Sequence, residues 1–311
     1  MISDVLLVAF GLGLLGFVFH VAQHSLLPSI VDRARMVEAN AKLRVADSVT
    51  EGLGFAGAGF LMQLLGAPLA FGIDAASYLL SALCLSGVTE PEQPARSARG
   101  ERSLVRELSE GIRTVLRHRM LAPLAAAQVL MVLGTRLVGV VYMLFVINTL
   151  GISASTVGMV AATGAISSFG GAWLAQATNE RWRPGLALIA GIVVLGSSTL
   201  LIPAAAHVGV FALGCLLGHQ LGDGGWVVYE IHVTSLRQQA LPDRLQGRAN
   251  GFFGVLDSAA ALLGSVLGGV LGEWFGLTPT LWLGGALVLA AAGLLVLSPV
   301  RTFQGAPSPP E

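Results

Sequence analysis

The sequence predicts an all-α polytopic membrane protein, on three observations. Of 311 residues, 54% are hydrophobic and only 12% are charged, whereas soluble domains carry about 25% charged residues. The mean hydropathy is +0.75. Apolar runs follow one another along the chain, each close to the roughly 20 residues that cross a bilayer.

Nine such runs are predicted as spans: 5–27, 45–65, 68–88, 121–148, 154–177, 185–204, 207–233, 250–273 and 279–298. The first has no Lys or Arg before it and is too long for a signal-peptide core, so it is read as a span. Residues 89–120 form the one long hydrophilic connector. Its start, EPEQPARSARGER, reads as flexible, and its end, SLVRELSEGIRTVLRH, has helical spacing and is expected to lie along the membrane surface. The tail 301–311, with three prolines, reads as disordered. Cys84 and Cys215 both fall in apolar runs and read as small core residues rather than a disulfide.

Lys and Arg alone set the orientation. Alternate loops hold Arg33, Arg35, Lys42 and Arg44, then Arg96 through Arg119, then Arg181 and Arg183, then Arg237, Arg244 and Arg248, then Arg301. The opposite loops hold none, so 17 of 18 cations lie on one side. That side is expected to be cytoplasmic, with the C-terminus on it and Met1 on the outer side. The remaining cation, Arg136, lies inside a span. With a net charge of zero and no basic patch, nucleic-acid binding has nothing to rest on.

One stretch occurs twice. LLPSIVDRARMVEANA at 26–41 is echoed by RQQALPDRLQGRANG at 237–251, each with a Pro, an Asp-Arg pair and an Ala-Asn pair before a Gly-rich apolar run. The echo continues at a constant offset of 210: Asn40 with Asn250, Asp47 with Asp257, Gly54 with Gly264, Gly59 with Gly269, Gly66 with Gly276. Spans one to three therefore match spans seven to nine, and spans four to six have no earlier counterpart. Two parallel repeats of six helices are the pattern of one transporter fold. On that pattern the chain reads as the last nine of twelve spans. Residues 1–88 are then an incomplete first half, 89–120 the cytoplasmic connector, and 121–300 a six-helix second half.

These residues resemble the major facilitator superfamily, in particular its bacterial branch of enterobactin-exporter-like and macrolide-efflux-like permeases. The marks are LLPSIVDRARMVEANA, GAPLAFGIDAASYLLSA at 66–82, and SLRQQALPDRLQGRANG followed by GSVLGGVLGEWFG. The resemblance covers residues 20–300 and implies a major-facilitator-type helical bundle. Two features depart from it. The fifth-helix Gly-Pro signature of many antiporters is replaced by Gly54-Phe55-Ala56-Gly57-Ala58-Gly59, which lacks the Pro. The loop between helices two and three of the family has no counterpart in this sequence, although a degenerate relative stands at Gly171 to Gly185.

Charged groups inside a span are costly and face protein or a water cavity. Span seven carries His219, Asp223, Trp226 and Glu230, whose spacing of four, three and four predicts one face of a helix. Span four carries Arg136, and span one carries His20 and His24 one turn apart. The resemblance makes these helices four, seven and ten, which line the central cavity of the family. Arg136 is expected to pair with Asp223. Burial favours a protonated carboxylate and a neighbouring arginine favours the ionised one, a competition that lets proton and substrate exclude each other. The alternative is a fixed ion pair joining two helices. For His20 and His24 the readings are cavity lining, simple packing or a metal pair, although HVAQH lacks the Glu of a zinc-hydrolase helix; no metal site is expected. Asp47 and Asp257 begin their helices, where acids favour the helix dipole; the sharper reading is a cytoplasmic latch using Arg181 or Arg183, with Asp257 taking its partner from the loop absent here. Gly264, Gly268 and Gly272, spaced by four, predict a close-approach face.

The function expected is secondary active export of small amphipathic molecules, drug- or siderophore-like, in exchange for protons. The direction comes from the resemblance. The partners are a small-molecule substrate, protons and the lipid bilayer, with a monomer at full length and no cofactor. The competing reading is a truncated, non-transporting membrane remnant acting through helix contacts. No phosphate-cradling loop encodes ATP drive, and no nucleophile-base set points to an enzyme.

Overall fold

A computed structural model describes Gly11, Leu15 and residues 36–87, 104–179, 183–241 and 243–303. Among these residues the regular structure is helical, without strands. The chain divides into two compact units: residues 1–51 with 67–101, and residues 52–66 with 102–311. The expected span at 5–27 and the tail beyond 303 lie outside the described residues, apart from Gly11 and Leu15.

The first helix, α1 (Met36–Ser86), begins well before the span expected at 45–65 and takes in the third span as well. It is broken at Gly66, whose φ is 76° and ψ 165°. Its repeat mate Gly276, at the start of the last helix, has φ 91° and ψ 165°. A Cβ makes that region of backbone space costly, so glycine is the residue that fits. The sequence repeat is thus also a repeat of backbone conformation. In the first unit, Pro68–Ser86 is long and apolar enough to cross a membrane, and Leu79, Leu80 and Leu83 on it are exposed.

The second unit holds the remaining helices. They are α2 (Leu104–Arg117), α3 (Leu121–Leu144), α4 (Ala154–Asn179), α5 (Pro184–Thr199, continued by Leu201–Ala204), α6 (Ala212–His219), α7 (Leu221–Ala240), α8 (Asp243–Trp274) and α9 (Leu277–Val296). Segments around α3, α4, α5, α8 and α9 are each long and apolar enough to cross a membrane. Helix α7 runs to Ala240 and α8 begins at Asp243. Among its described residues, the echoed stretch at 237–251 is therefore mostly helix rather than a loop.

Helix α3 packs on α8 and α9, α7 packs on α4 and α5, and α5 meets α9. Exchanging α3, α4, α5 for α7, α8, α9 leaves this contact pattern unchanged. The two triples begin three crossings apart, so they run in opposite directions, the arrangement of an inverted repeat.

Lipid tails are as apolar as leucine, so helices in a bilayer associate through close packing of small residues. The predicted glycine face of α8 does this against α3. A Cβ at Gly264 would stand 2.6 Å from the Leu133 carbonyl oxygen, and one at Gly268 2.8 Å from that of Leu137. At Gly272 it would stand 2.8 Å from Cγ1 of Val141. On the other side of α3, Gly134 meets the Gly284 carbonyl of α9 at 2.6 Å by the same measure.

Helix α2 is amphipathic, and its apolar side is taken up by the bundle. Val115 is fully buried in a cluster with Leu121, Leu241 and Phe252. Glu110 pairs with Arg248 of α8 at 2.5 Å, and Gly111 abuts the Arg248 backbone. Its expected place along the membrane surface is therefore open only to its other face. At the same end of the unit, the turn Pro299–Thr302 sits against the start of α5 through Gly185 and Val300. The arginine-bearing segments around 183, 248 and 301 thus share neighbours with α2 or with one another.

Gly268→Val should lower stability by about 1–3 kcal/mol, because the added methyls meet the α3 backbone. Gly269→Ala should change little, since nothing lies within 4 Å of the added carbon. Thermal unfolding in detergent micelles checks both.

Candidate functional site

The polar span at 207–233 is not the single helix its spacing predicts. Gly209 takes φ +53° in the preceding turns, and the helix is interrupted again at Gln220, between α6 and α7. There the Gln220 N–H donates to Leu217 and the Asp223 N–H to Gln220, both at 3.2 Å, which are i to i−3 bonds of a tight turn. The Gln220 side chain pins the turn by donating to the Ala161 carbonyl of α4 at 3.2 Å. His219 and Asp223 therefore lie on two helices, while Asp223, Trp226 and Glu230 share α7.

The segment Gly222-Asp223-Gly224-Gly225 opens α7 where it passes between α4 and α5. The Gly224 N–H donates to Oγ of Ser167 at 3.0 Å, and Gly171 faces the Gly224 backbone. On the α5 side, Gly191 and Gly225 meet so closely that a Cβ at Gly225 would stand 2.6 Å from the Gly191 carbonyl. With both backbones in contact, the Asp223 carboxylate is directed over Gly164 of α4, where any Cβ would collide with Oδ2. Glycine at 164 is the vacancy that the carboxylate occupies.

Among the described residues, the buried Nδ1 of His219 finds no hydrogen-bond partner, and its ring lies 6.0 Å from that of Tyr142 on α3. Trp226 is 37% exposed and leans on Tyr229, ring centroids 5.7 Å apart. Glu230 is exposed on α7. Arg136 is exposed on α3, and the root of its side chain lies against Gly264 of α8. The structure thus places Asp223 toward α4 and the base of Arg136 toward α8, on helices that contact each other little.

A second polar cluster lies where α3, α7 and α8 meet. Nε2 of Gln128, a buried residue, donates to Asp257 at 3.1 Å. Its Oε1 accepts from Nη2 of Arg237. The Arg237 guanidinium also lies 3.8 Å from the centre of the Phe253 ring, a cation–π stack. Burial lowers the pKa of this guanidinium, while Tyr229, Glu230 and Asp257 oppose the shift; arginine nevertheless stays cationic in a protein. Asp257, expected to find its partner in a loop outside this sequence, has a partner within its own unit. The cluster borders a cavity of about 200 Å³ lined by Thr234, Arg237, Leu241, Gln246 and Asn250.

Of the other expected site residues, Arg183 is exposed at the start of α5. His20, His24 and Arg181 lie outside the described residues, and Asp47 lies on α1 with its side chain outside them. The sequence pattern alone does not mark Gln128, Tyr142, Gln220 or Arg237 as members of these clusters. A signal existed for the two glutamines, since an amide alone in an apolar run needs an internal partner. For Arg237, position near the end of an apolar run suggested solvent.

Gln128→Leu should lower stability by about 1–3 kcal/mol, because it strips a partner from both Asp257 and Arg237. A double-mutant cycle with Asp257→Asn should give a coupling energy above about 0.5 kcal/mol. Additive effects in urea or thermal melts would contradict the bridge.

The chain is 29% identical over 249 residues to "Uncharacterized MFS-type transporter y4rN" of Sinorhizobium fredii (strain NBRC 101917 / NGR234), over 79% of this chain and 60% of the relative. The chain therefore spans about 60% of the length of that relative. Among solved structures, one described as the structure of a bacterial metal transporter superposes with a TM-score of 0.60 at 17% identity, covering 86% of this chain and 67% of that one. That likeness is one of fold. The model of the Major Facilitator Superfamily matches residues 2–261, most of the chain, and the chain belongs to that superfamily.

Proposed function

We propose that the chain acts as a secondary active transporter of a bacterial cytoplasmic (inner) membrane, exporting small amphipathic molecules in exchange for protons by alternating access. The observation that carries the reading is the seating of Asp223. A carboxylate in an apolar run is held over a glycine of the neighbouring helix, with His219 one turn before it and Glu230 two turns after it. Ionisable side chains inside a span mark substrate or ion pathways.

In this reading Asp223 is the proton-carrying group, and Arg136 competes with the proton for it at one stage of the cycle. His219 and Trp226 contact substrate, with Glu230 nearer the cytoplasm. His20 and His24 belong to the same pathway. Asp257 and Arg183, with Asp47 and Arg181, form a cytoplasmic gate. The C-terminus faces the cytoplasm, because the arginine-bearing segments lie on that side. The amphipathic, drug- or siderophore-like substrate class rests on the likeness of the sequence motifs to efflux permeases.

The test is flux in proteoliposomes made with the full chain and loaded with a fluorescent amphipathic cation. An imposed pH gradient should drive its movement. Asp223→Asn should reduce the movement to that of empty vesicles, and Arg136→Gln should weaken its dependence on the gradient. Equal flux with and without the gradient, or an unchanged Asp223→Asn variant, would refute proton antiport.

A further inference from the structure

The connector helix α2 has two faces, and the bundle uses one. Gly111 and Val115 are buried, and Glu110 is engaged by Arg248. The other face carries Arg113, Leu116 and Arg117, at positions i, i+3 and i+4, all exposed. Arg119 is exposed in the turn that follows. Among the described side chains none of these three arginines forms an ion pair. Leu116 is 58% exposed between them.

Position along the chain matters as much as charge. Leu121 opens the apolar run of α3, so Arg113 to Arg119 lie within about two helical turns of the membrane boundary. The other anchor of α2 is Arg248, near the start of the apolar stretch of α8, Leu245–Trp274. A helix held by one side at that depth presents its remaining face to the headgroup layer. Arginine forks bind phosphate oxygens, and Leu116 between the cations can sink below them into the acyl boundary, the depth at which interfacial helices bury apolar side chains.

We infer that the exposed face of α2 is a docking site for anionic phospholipid: Arg113, Arg117 and Arg119 hold headgroup phosphates, and Leu116 enters the acyl boundary. The site belongs to the second unit alone and stands or falls independently of proton antiport. It gives the connector a second attachment, the first being Glu110 to Arg248.

The full chain in detergent micelles, titrated with phosphatidylglycerol or phosphatidylcholine, tests this by native mass spectrometry and thermal unfolding. Wild type should retain phosphatidylglycerol and melt at a higher temperature with it than with phosphatidylcholine. The variant carrying Arg113→Gln, Arg117→Gln and Arg119→Gln should bind it with an affinity lower by about fivefold per arginine removed. Leu116→Ser should weaken retention of the lipid without altering the response to inorganic phosphate. Three results would overturn the inference: equal retention of both lipids, an unaltered triple variant, or the same stabilisation from inorganic phosphate alone. A dimer in solution that dissociates in the triple variant would assign the face to a second copy instead.

Discussion

Contact between helix backbones at glycine is the constraint on which the rest of this molecule depends. Inside a bilayer there is no water to drive helices together, so tight packing must come from residues that let backbones touch. Helix α7 passes between α4 and α5 with Gly224 and Gly225 pressed on both sides. Helix α3 is gripped between the glycines of α8 and Gly284 of α9 in the exchanged arrangement. With the α7 backbone that close to α4, the Asp223 carboxylate lies over Gly164. The seating of the carboxylate is a consequence of packing.

Two devices hold the end of the unit that carries the arginines. One is an ion pair, Glu110 with Arg248, which ties the connector helix to α8. The other is an amide relay, in which Gln128 joins Asp257 to Arg237 across three helices. A relay of this kind leaves each charge partnered without direct contact. Stripping the bridge from these half-buried charges would cost about 1–3 kcal/mol. Both devices act on the stretch 237–251 and its continuation into α8, which the sequence repeat had singled out.

Much of the architecture could be read from the residues. The offset of 210 paired Gly66 with Gly276, and those two share one uncommon backbone conformation. The spacing of Gly264, Gly268 and Gly272 announced a close face, and α3 fills it. What could not be read depended on tertiary partners. Apolar residues flank His219-Gln220 on both sides, so 207–233 read as one span, and the turn there shows only with the Ala161 carbonyl that Gln220 reaches. The charged letters of 237–251 suggested a loop, yet helix propensity and packing against α2 carry α7 and α8 to within two residues of each other. Asp257 looked like a terminal acid on a helix, because its partner Gln128 is 129 residues away.

The central claim is that α7 lies backbone to backbone against α4, which fixes Asp223. Cysteine cross-linking in native membranes tests this most directly, after Cys84 and Cys215 are replaced by serine. The Gln220 side chain at the start of α7 reaches the Ala161 carbonyl of α4 at 3.2 Å, and neither position is a glycine in the close contact. The pair Ala161→Cys with Gln220→Cys should therefore be joined by a short bifunctional thiol reagent. The pair Phe169→Cys with Gln220→Cys, with position 169 on the exposed side of α4, should not. Absence of the first cross-link in a folded, membrane-inserted protein, or equal yields from both pairs, would contradict the account.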